Sequence, residues 1–572
     1  MEIRIEKEWQ LREFVPEDVK QKLSGFSALE QQLLFNRDIC DLENAERYLE
    51  GTSEVYDPFL LKDMGKASAR ICWAIEAGQR ILIFGDYDVD GVTATALLYE
   101  LIMGLGGEAV HYIPNRFEEG YGFSEESLEG VFSFKPELII TVDCGIRSIK
   151  EVEMMEREGV DVIITDHHQP LPEIPQALAI INHKQAGDTY PFKELAGVGL
   201  AYKLAQAVTA RFPEKIVDVK KWLDLVALGT VADLAPLTDE NRTLVRQGIN
   251  LINDNPRPGI AALITVSRSV PGKINSRDIG FRLGPRLNAA GRLTVAKNAF
   301  NLLVSTSAEE AKPLALKLDE ENKKRQIITK EIQQVVETYF EALKDDENEF
   351  LIFHADENFN EGVVGLAASR LVERFYRPAI IGTRKTKEGS IKASCRSIPE
   401  LNIIKALDEC SDLLEKHGGH AMAAGLTLKT ENEAEFQKRL IEIIKREFAE
   451  KEIQPKVSID AEIDPTREQP DALLKFLDKL EPTGMENPAP IFASRNISII
   501  ALKKLGKEKD HLRFFIKTKE GKVLSAIAFS YGQLADNLEN GDRVDLLYSY
   551  ELNEYNGEQF PQLNVKEIKT RN

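Results

Sequence analysis

The 572 residues, 43% hydrophobic and 29% charged, suit a soluble globular protein of about three or four domains, and no run of about 18 apolar residues is present to span a bilayer. The formal charge of −20 would ordinarily argue against a nucleic-acid partner, although a carboxylate site that holds cations adds negative charge while attracting phosphate, so local basic patches matter more than the total. Five cysteines (Cys40, Cys72, Cys144, Cys395, Cys410) without a CxxC pair argue against a disulfide framework and a thiolate zinc site.

The stretch Met1 to Glu8 is charged and lacks the apolar core of a secretory signal, so a cytoplasmic location is expected. Residues 1–50 read as a helical amino-terminal extension, with Phe26, Leu29 and Leu33 at helical spacings. From Ile71 to Asn182, short apolar runs at 81–84, 138–142, 160–164 and 178–181 alternate with amphipathic segments, the rhythm of a parallel α/β sheet. The first run delivers Asp86, Asp88 and Asp90 at alternate positions, and Gly91 then turns the chain into a helix over 92–99. The second ends on Asp143-Cys144-Gly145 and the third on Asp166-His167-His168. Asp233 follows a helical segment over 222–229. In open parallel sheets the carboxyl edge is where ligands bind, so these residues can meet there.

Residues 305–345 place Ile328, Ile332, Val335, Val336, Phe340 and Leu343 on one stripe of a long connecting helix. The runs Asp319-Glu320-Glu321 and Lys323-Lys324-Arg325 read as its solvated face, and Asp345 to Glu349 as its end. A second α/β segment opens with a strand over 350–353 and extends to about 450. Beyond 457 the chain alternates as strands, notably over 512–517 and 544–550, and Asn556-Gly557 signals a hairpin. A small closed barrel such as an OB-fold fits that texture. The predicted domains are therefore 1–50, 51–304, a connecting helix over 305–345, 346–453 and 454–572.

Crowded carboxylates stay ionised only around positive charge, and the set Asp86, Asp88, Asp90, Asp143, Asp166, His167, His168 and Asp233 is rich in oxygen, poor in imidazole and free of sulfur. Mn²⁺ or Mg²⁺ suits it better than zinc. So many carboxylates exceed the needs of one ion, which points to two divalent cations sharing a carboxylate and to phosphoester hydrolysis. A lone histidine would read as a hydrogen-bonded core residue, but Asp-His-His after an apolar strand fits a ligand group. Adjacent side chains do not easily face one ion, so His167 is assigned to metal and His168 to phosphate or to support of the ligands.

Asp88-Val89-Asp90-Gly91, Val142-Asp143-Cys144-Gly145, Asp166-His167-His168 and Val231-Ala232-Asp233, in this order, resemble the four motifs of the DHH phosphoesterase family. Gly85 to Gly91, the segment Pro114 to Gly122 and the trailing barrel are similar to its bacterial branch of 5′-to-3′ exonucleases specific for single-stranded DNA. The resemblance implies a multidomain α/β protein with a parallel-sheet DHH domain, a connecting helix, an α/β DHHA1 domain and an OB-fold. It implies an active site between the DHH and DHHA1 domains, release of nucleoside 5′-monophosphates, a role in recombination and repair, and work alongside single-strand-binding protein and a RecQ-type helicase. Catalysis is expected of Asp143, Asp166, His167 and His168, and metal ligation of Asp86, Asp88, Asp90, Asp143, His167 and Asp233. Many relatives carry histidine where this chain has Phe84, and Asp86 is expected to compensate.

The run Gly418-Gly419-His420 to Gly425 reads as opening a helix, and by itself fits close backbone packing as well as anion binding. Its similarity to the glycine-histidine motif of DHHA1 domains implies phosphate binding with His420 central. The segments 361–370 and 392–397 resemble motifs of the same domain, and Pro285 to Arg292 resembles a further family motif. Arg116, Arg286, Asn288, Arg292, Ser394, Arg396, Gly418, Gly419 and His420 are accordingly the expected substrate contacts, the arginines as bidentate phosphate partners in place of ordinary surface salt bridges. In the barrel, Lys503, Lys504, Lys507, Lys509, Arg513, Lys517, Lys519 and Lys522 interleave with His511, Phe514 and Phe515, a pattern for a single-strand platform with one stacking ring at most. The rival functions are a DHH hydrolase of oligoribonucleotides or cyclic dinucleotides, which needs no such platform, and a non-catalytic DNA-binding scaffold, which needs no intact acidic set.

Overall fold

The computed structural model describes residues 6–52, 55–116, 118–120, 122–293, 295–342, 350–465, 470–517, 521, 523–555 and 558–571. The chain divides into a larger unit (Trp9–Leu287, Ala296–Ala315 and Ser458–Asn572) and a smaller one (Met1–Glu8, Asn288–Val295 and Leu316–Val457).

In the larger unit, β1 (Arg80–Gly85), β2 (Glu108–Tyr112), β3 (Leu138–Val142), β4 (Asp161–Thr165) and β5 (Ala179–Ile181) form an all-parallel sheet in the order β2-β1-β3-β4-β5. Four of these strands match the predicted runs to within a residue at each end. The fifth, β2, was not anticipated, because Glu108-Ala109-Val110-His111-Tyr112 is an edge strand with only Ala109 fully buried. Every side chain of β3 is buried, as expected of a sheet covered on both faces. Connections leave β1 and β3 in opposite directions, which opens a crevice at their carboxyl ends and makes this the switch point of the sheet. Helices α1 (Val89–Gly104), α2 (Gly197–Thr209) and α3 (Leu223–Ala232) pack on one another beside it. Residues 223–231 are buried throughout, which is why α3 shows no polar stripe.

The predicted long helix is α4 (Ala308–Ala342). Ile332 and Val336 are buried while Val335 is exposed, so the apolar stripe is narrower than the sequence suggests. Asp319 and Glu321 are buried, against the expectation of a solvated face, and Glu320 between them is exposed. Consecutive helical residues point about 100° apart, so one charge run serves two faces, and Asp319 pairs with Lys323 one turn on at 2.6 Å. Leu343 and Asp345 to Glu349 lie outside the described residues.

The smaller unit holds β6 (Ile352–Asp356), α5 (Val364–Phe375), β7 (Ala379–Lys385), β8 (Ser390–Arg396), β9 (Leu414–Gly419) and β10 (Ala423–Lys429). The sheet runs β9-β10-β8-β7-β6, antiparallel except for β6 with β7. Alternating Ile391, Ala393, Cys395 and Leu426, Leu428 build one face of its core.

The carboxy-terminal segment, again in the larger unit, contains β11 (Phe492–Leu505), β12 (His511–Lys517), β13 (Val523–Ala528), β14 (Arg543–Tyr555) and β15 (Glu558–Thr570). The strand β11 pairs with both β12 and β14, so the sheet curls into a partly closed, OB-like barrel. An irregularity between Ser494 and Ile497, with Asn496 at φ 60°, bends β11 between its two partners. Asn556-Gly557 lies outside the described residues, as do Lys519 and Lys522. Residues 6–50 hold a short strand (Glu8–Leu11) and three helices (Glu17–Lys22, Ala28–Phe35, Leu42–Glu50), although Phe26 precedes its helix, which Ser27 and Glu30 cap reciprocally. Val19, Leu33 and Leu49 share one core with Phe492, Phe514 and Tyr548 of the barrel. No helix among the described residues is long and apolar enough to cross a membrane.

Candidate active site

Each acidic residue reaches the crevice for a local reason. Asp88 is the N-cap of α1, accepting hydrogen bonds from the amides of Asp90 (2.9 Å) and Gly91 (3.1 Å). Asp86 lies on the strand side of that turn and Asp90 on its helix side, both buried. Asp143 follows β3 with φ 60°, a left-handed conformation that aspartate tolerates, and its amide is tied to the carbonyl of Thr165 at 2.9 Å. Asp166 and His167 follow β4, and Asp233 caps the carboxyl end of α3.

Three groups of donor atoms lie within coordination reach of a common point: Asp86, Asp88 and Asp143; Asp143, His167 and His168; Asp90, His167 and Asp233. Asp143 links the first group to the second and His167 links the second to the third, so the three groups form one continuous cluster. His167 Nε2 lies 3.1 Å from Asp143 Oδ1, 3.8 Å from Asp233 Oδ2 and 3.9 Å from Asp90 Oδ2. The ring of His168 turns away to Asp166, Nδ1 to Oδ1 2.7 Å, and Asp166 also accepts from the amides of His168 and Ile146 at 3.0 Å each. His168 Nδ1 also stands 3.9 Å from Asp143 Oδ1. Phe84 is fully buried, stacked on Tyr112 (5.5 Å) and edge-on to Phe123 (5.0 Å), so it belongs to an aromatic core while Asp86 joins the cluster.

Electrostatics test whether this set fits cations. Burial, and then neighbouring aspartates, push the carboxyls of Asp86 and Asp143 well above the ordinary range, that of Asp90 to about 7 and that of Asp233 to about 9. Burial, with the charge of His168, lowers His167 to about 3, so its imidazole is a neutral donor. Burial raises Asp166 but the hydrogen bond and charge of His168 outweigh it, and the same pairing raises His168 against its own burial. Asp86 Oδ1 and His167 Nε2 are buried and have no hydrogen-bond partner among the described residues. Buried acceptors without donors, on carboxylates that resist ionisation alone, are what divalent cations with oxygen and imidazole ligands would satisfy.

Two residues of the larger unit escaped the sequence reading. The amides of Gly197 and Val198, at the start of α2, donate to Asp90 Oδ2 (2.6 Å) and Oδ1 (2.8 Å). The paired glycines of Gly197-Val198-Gly199 were the available signal. Arg116 sits over the Tyr87 ring at 5.2 Å, and its charge partly offsets the raised carboxyl of Asp86. Phe117 and Tyr121 of the same segment lie outside the described residues. Arg286, on the helix Gly284–Leu293, donates to the carbonyl of Arg282 at 2.7 Å. In the barrel Phe514 is fully buried and Phe515 half-buried, with Arg513 5.3 Å from its ring, in accord with one stacking ring at most.

In the smaller unit, Asn288 lies on the same helix as Arg292, which donates to the carbonyl of Gly362 at 3.3 Å. Arg396 on β8 donates to Ser369 Oγ of α5 at 3.2 Å, and Ser394 sits two residues away on the same face. Both crowd Gly365, where an added Cβ would meet Arg396 Nη2 at 3.0 Å and Ser394 Oγ at 3.2 Å. The predicted helix at 418–425 is instead a β-hairpin: Gly418 and Gly419 end β9, His420 occupies the exposed turn, and Ala423 pairs across to Arg396. Small residues here serve strand pairing, Gly418 with Gly425 and Gly419 with Ala424, so the partial charge of a helix start does not operate. The hairpin sets His420 at the edge that carries Ser394 and Arg396.

Family profiles described as the DHH family N-terminal domain, the DHHA1 domain and the RecJ OB domain match residues 80–230, 347–446 and 459–567. The single-stranded-DNA-specific exonuclease RecJ of Dickeya dadantii is 35% identical over 564 residues, covering 95% of this chain and 96% of the relative. The chain belongs to the RecJ family. RecJ of Bacillus subtilis is 39% identical over 540 residues, 94% of this chain and 67% of that protein. The crystal structure of RecJ from Thermus thermophilus in complex with Mn²⁺ superposes with a TM-score of 0.83 at 27% identity, covering 99% of this chain and 80% of that one, and the Mg²⁺ complex with a TM-score of 0.77 at 25% identity, covering 99% and 78%. RecJ structures are thus known with either ion that the donor set here suits.

Proposed function

We propose that this chain is a single-strand-specific DNA exonuclease that removes nucleoside 5′-monophosphates from the 5′ end with two divalent cations, Mn²⁺ or Mg²⁺. The observation that carries the reading is the buried cluster around Asp143, which joins two groups of donors through one carboxylate. Asp86, Asp88 and Asp143 would hold one cation and Asp90, His167 and Asp233 the other, with Asp143 and His167 standing side by side at 3.1 Å where the two sets meet. When bound, the cations supply Lewis-acid charge for in-line attack of water on phosphorus and for the departing oxygen.

The chain's own groups do the rest. Asp166 fixes the tautomer and direction of His168, which then offers its other ring nitrogen to the scissile phosphate. Ser394, Arg396, His420 and the amides of Gly418 and Gly419 would grip substrate phosphate, and Arg116, Arg286, Asn288 and Arg292 the strand that follows. As water oxygen bonds to phosphorus, the bond to the 3′ oxygen of the terminal nucleotide breaks, and that oxygen leaves as a hydroxyl. The carboxylate cluster would belong to a DHH domain near 51–304 and the phosphate-gripping hairpin to a DHHA1 domain near 346–453, with the barrel from about 454 holding the single strand. A cytoplasmic role in recombination and repair, with single-strand-binding protein and a RecQ-type helicase, completes the reading and is supported by family membership.

Digestion of 5′- and 3′-end-labelled single-stranded DNA, RNA and duplex DNA with Mn²⁺ tests it. Labelled mononucleotide released first from 5′-labelled single-stranded DNA is expected. Equal attack on duplex ends, or earlier release of the 3′ label, would contradict it.

A further inference from the structure

We infer that Gly197 and Gly229, outside the acidic motifs, are positioning residues for the cation cluster: together with the amide of Val198 they form a seat that fits Asp90 only while both side chains are hydrogen atoms. This rests on the cation reading above. The observations are steric and directional. Both oxygens of Asp90 are engaged by the start of α2, at 2.6 Å from Gly197 N and 2.8 Å from Val198 N, which fixes the plane of the carboxylate. A Cβ at Gly197 would stand 3.0 Å from Asp90 Oδ2, 2.8 Å from Asp143 Cβ and 3.1 Å from Asp143 Cα. A Cβ at Gly229, on α3, would stand 2.9 Å from Asp90 Oδ1, 2.5 Å from Thr93 Oγ1 and 2.7 Å from Val198 Cγ1. Two helices more than 100 residues downstream of Asp90 thus close on opposite oxygens of its carboxylate. Gly197 also closes on the backbone of Asp143, which belongs to two of the three donor groups.

Little near the seat can yield. Thr93 is fully buried and its hydroxyl is held by the carbonyls of Val89 (2.7 Å) and Asp90 (3.0 Å). The helix α2 is pinned in turn by Lys203, buried and paired with Glu240, and bonded to the carbonyl of Tyr56 at 2.6 Å. An added methyl therefore displaces Asp90, and through it the point shared with His167 and Asp233. Gly199, on the same helix, is the internal contrast: its Cβ would meet only the Leu195 side chain, at 3.4 Å.

The test is an electron-paramagnetic-resonance titration of the full-length protein with Mn²⁺, comparing the unsubstituted chain with Gly197→Ala, Gly229→Ala and Gly199→Ala, alongside thermal unfolding with and without Mn²⁺. Loss of about 10- to 100-fold in affinity for at least one ion is expected in Gly197→Ala and Gly229→Ala, as for groups that orient metal ligands, with Gly199→Ala unchanged. The rise in Tm on adding Mn²⁺ should shrink in the same two variants. Affinities equal to the unsubstituted chain, an undiminished Mn²⁺-dependent rise in Tm, an equal loss in Gly199→Ala, or failure of the two variants to fold would each overturn the inference, the last by making these glycines plain packing residues. Absence of saturable Mn²⁺ binding by the unsubstituted chain would instead overturn the cation reading on which it rests.

Discussion

The carboxylate cluster and the glycine-histidine hairpin, to which the two halves of the proposed chemistry are assigned, are built in opposite ways. The cluster is buried, its acids raised by burial and mutual repulsion, and its members come from four separate points of the larger unit. The turn of the hairpin is exposed and local, with His420 at its tip and Arg396 on the strand paired beside it. The first arrangement stores unfavourable electrostatics that cations relieve; the second offers donors to an anion that stays partly solvated. Turnover should therefore reside in the cluster and substrate affinity in the hairpin.

The largest expected effect separates the two at once. Asp143→Asn, which keeps the side-chain shape and tolerates the left-handed backbone, should lower Mn²⁺-dependent hydrolysis by about 10²- to 10³-fold or more, while a filter-binding assay shows single-stranded DNA still retained. Next in size, Asp166→Asn weakens the bond that orients His168, and kcat should fall by about 10- to 100-fold with KM little changed. A change confined to KM would place His168 with the substrate-gripping residues instead.

These two residues also show how much was legible. Strand ends followed by acidic residues can be read directly because a buried parallel strand is a local, continuous apolar run, and the carboxyl edge of such a sheet gathers whatever follows. Asp86, Asp88, Asp90, Asp143 and Asp166-His167-His168 were found that way. The hairpin was misread because β9 and β10 are defined by pairing with each other and with β8, nonlocal partners that a run of small residues does not announce. Gly197 was missed for a related reason: what makes it a site residue is its distance to Asp90, a contact 107 positions away in sequence.

The smaller predictions probe the hairpin side. Arg396→Ala removes a guanidinium and its bond to Ser369, and should raise KM for 5′-phosphorylated single-stranded DNA by about tenfold or more, the scale of one hydrogen bond to a charged group, with kcat held within a few-fold. His420→Ala should weaken DNA binding while leaving stability within about 0.5 kcal/mol in chemical denaturation, because the ring sits on an exposed turn. A larger loss of stability would mean that the ring is a packing element of the hairpin.

The most direct test of the division is a steady-state comparison of the unsubstituted chain, Asp143→Asn and Arg396→Ala on 5′-phosphorylated single-stranded DNA with Mn²⁺, resolved into kcat and KM. The expected result is loss of kcat with DNA binding retained for Asp143→Asn, and a raised KM with kcat retained for Arg396→Ala. Undiminished turnover by Asp143→Asn would contradict the assignment of the chemistry to the carboxylate cluster.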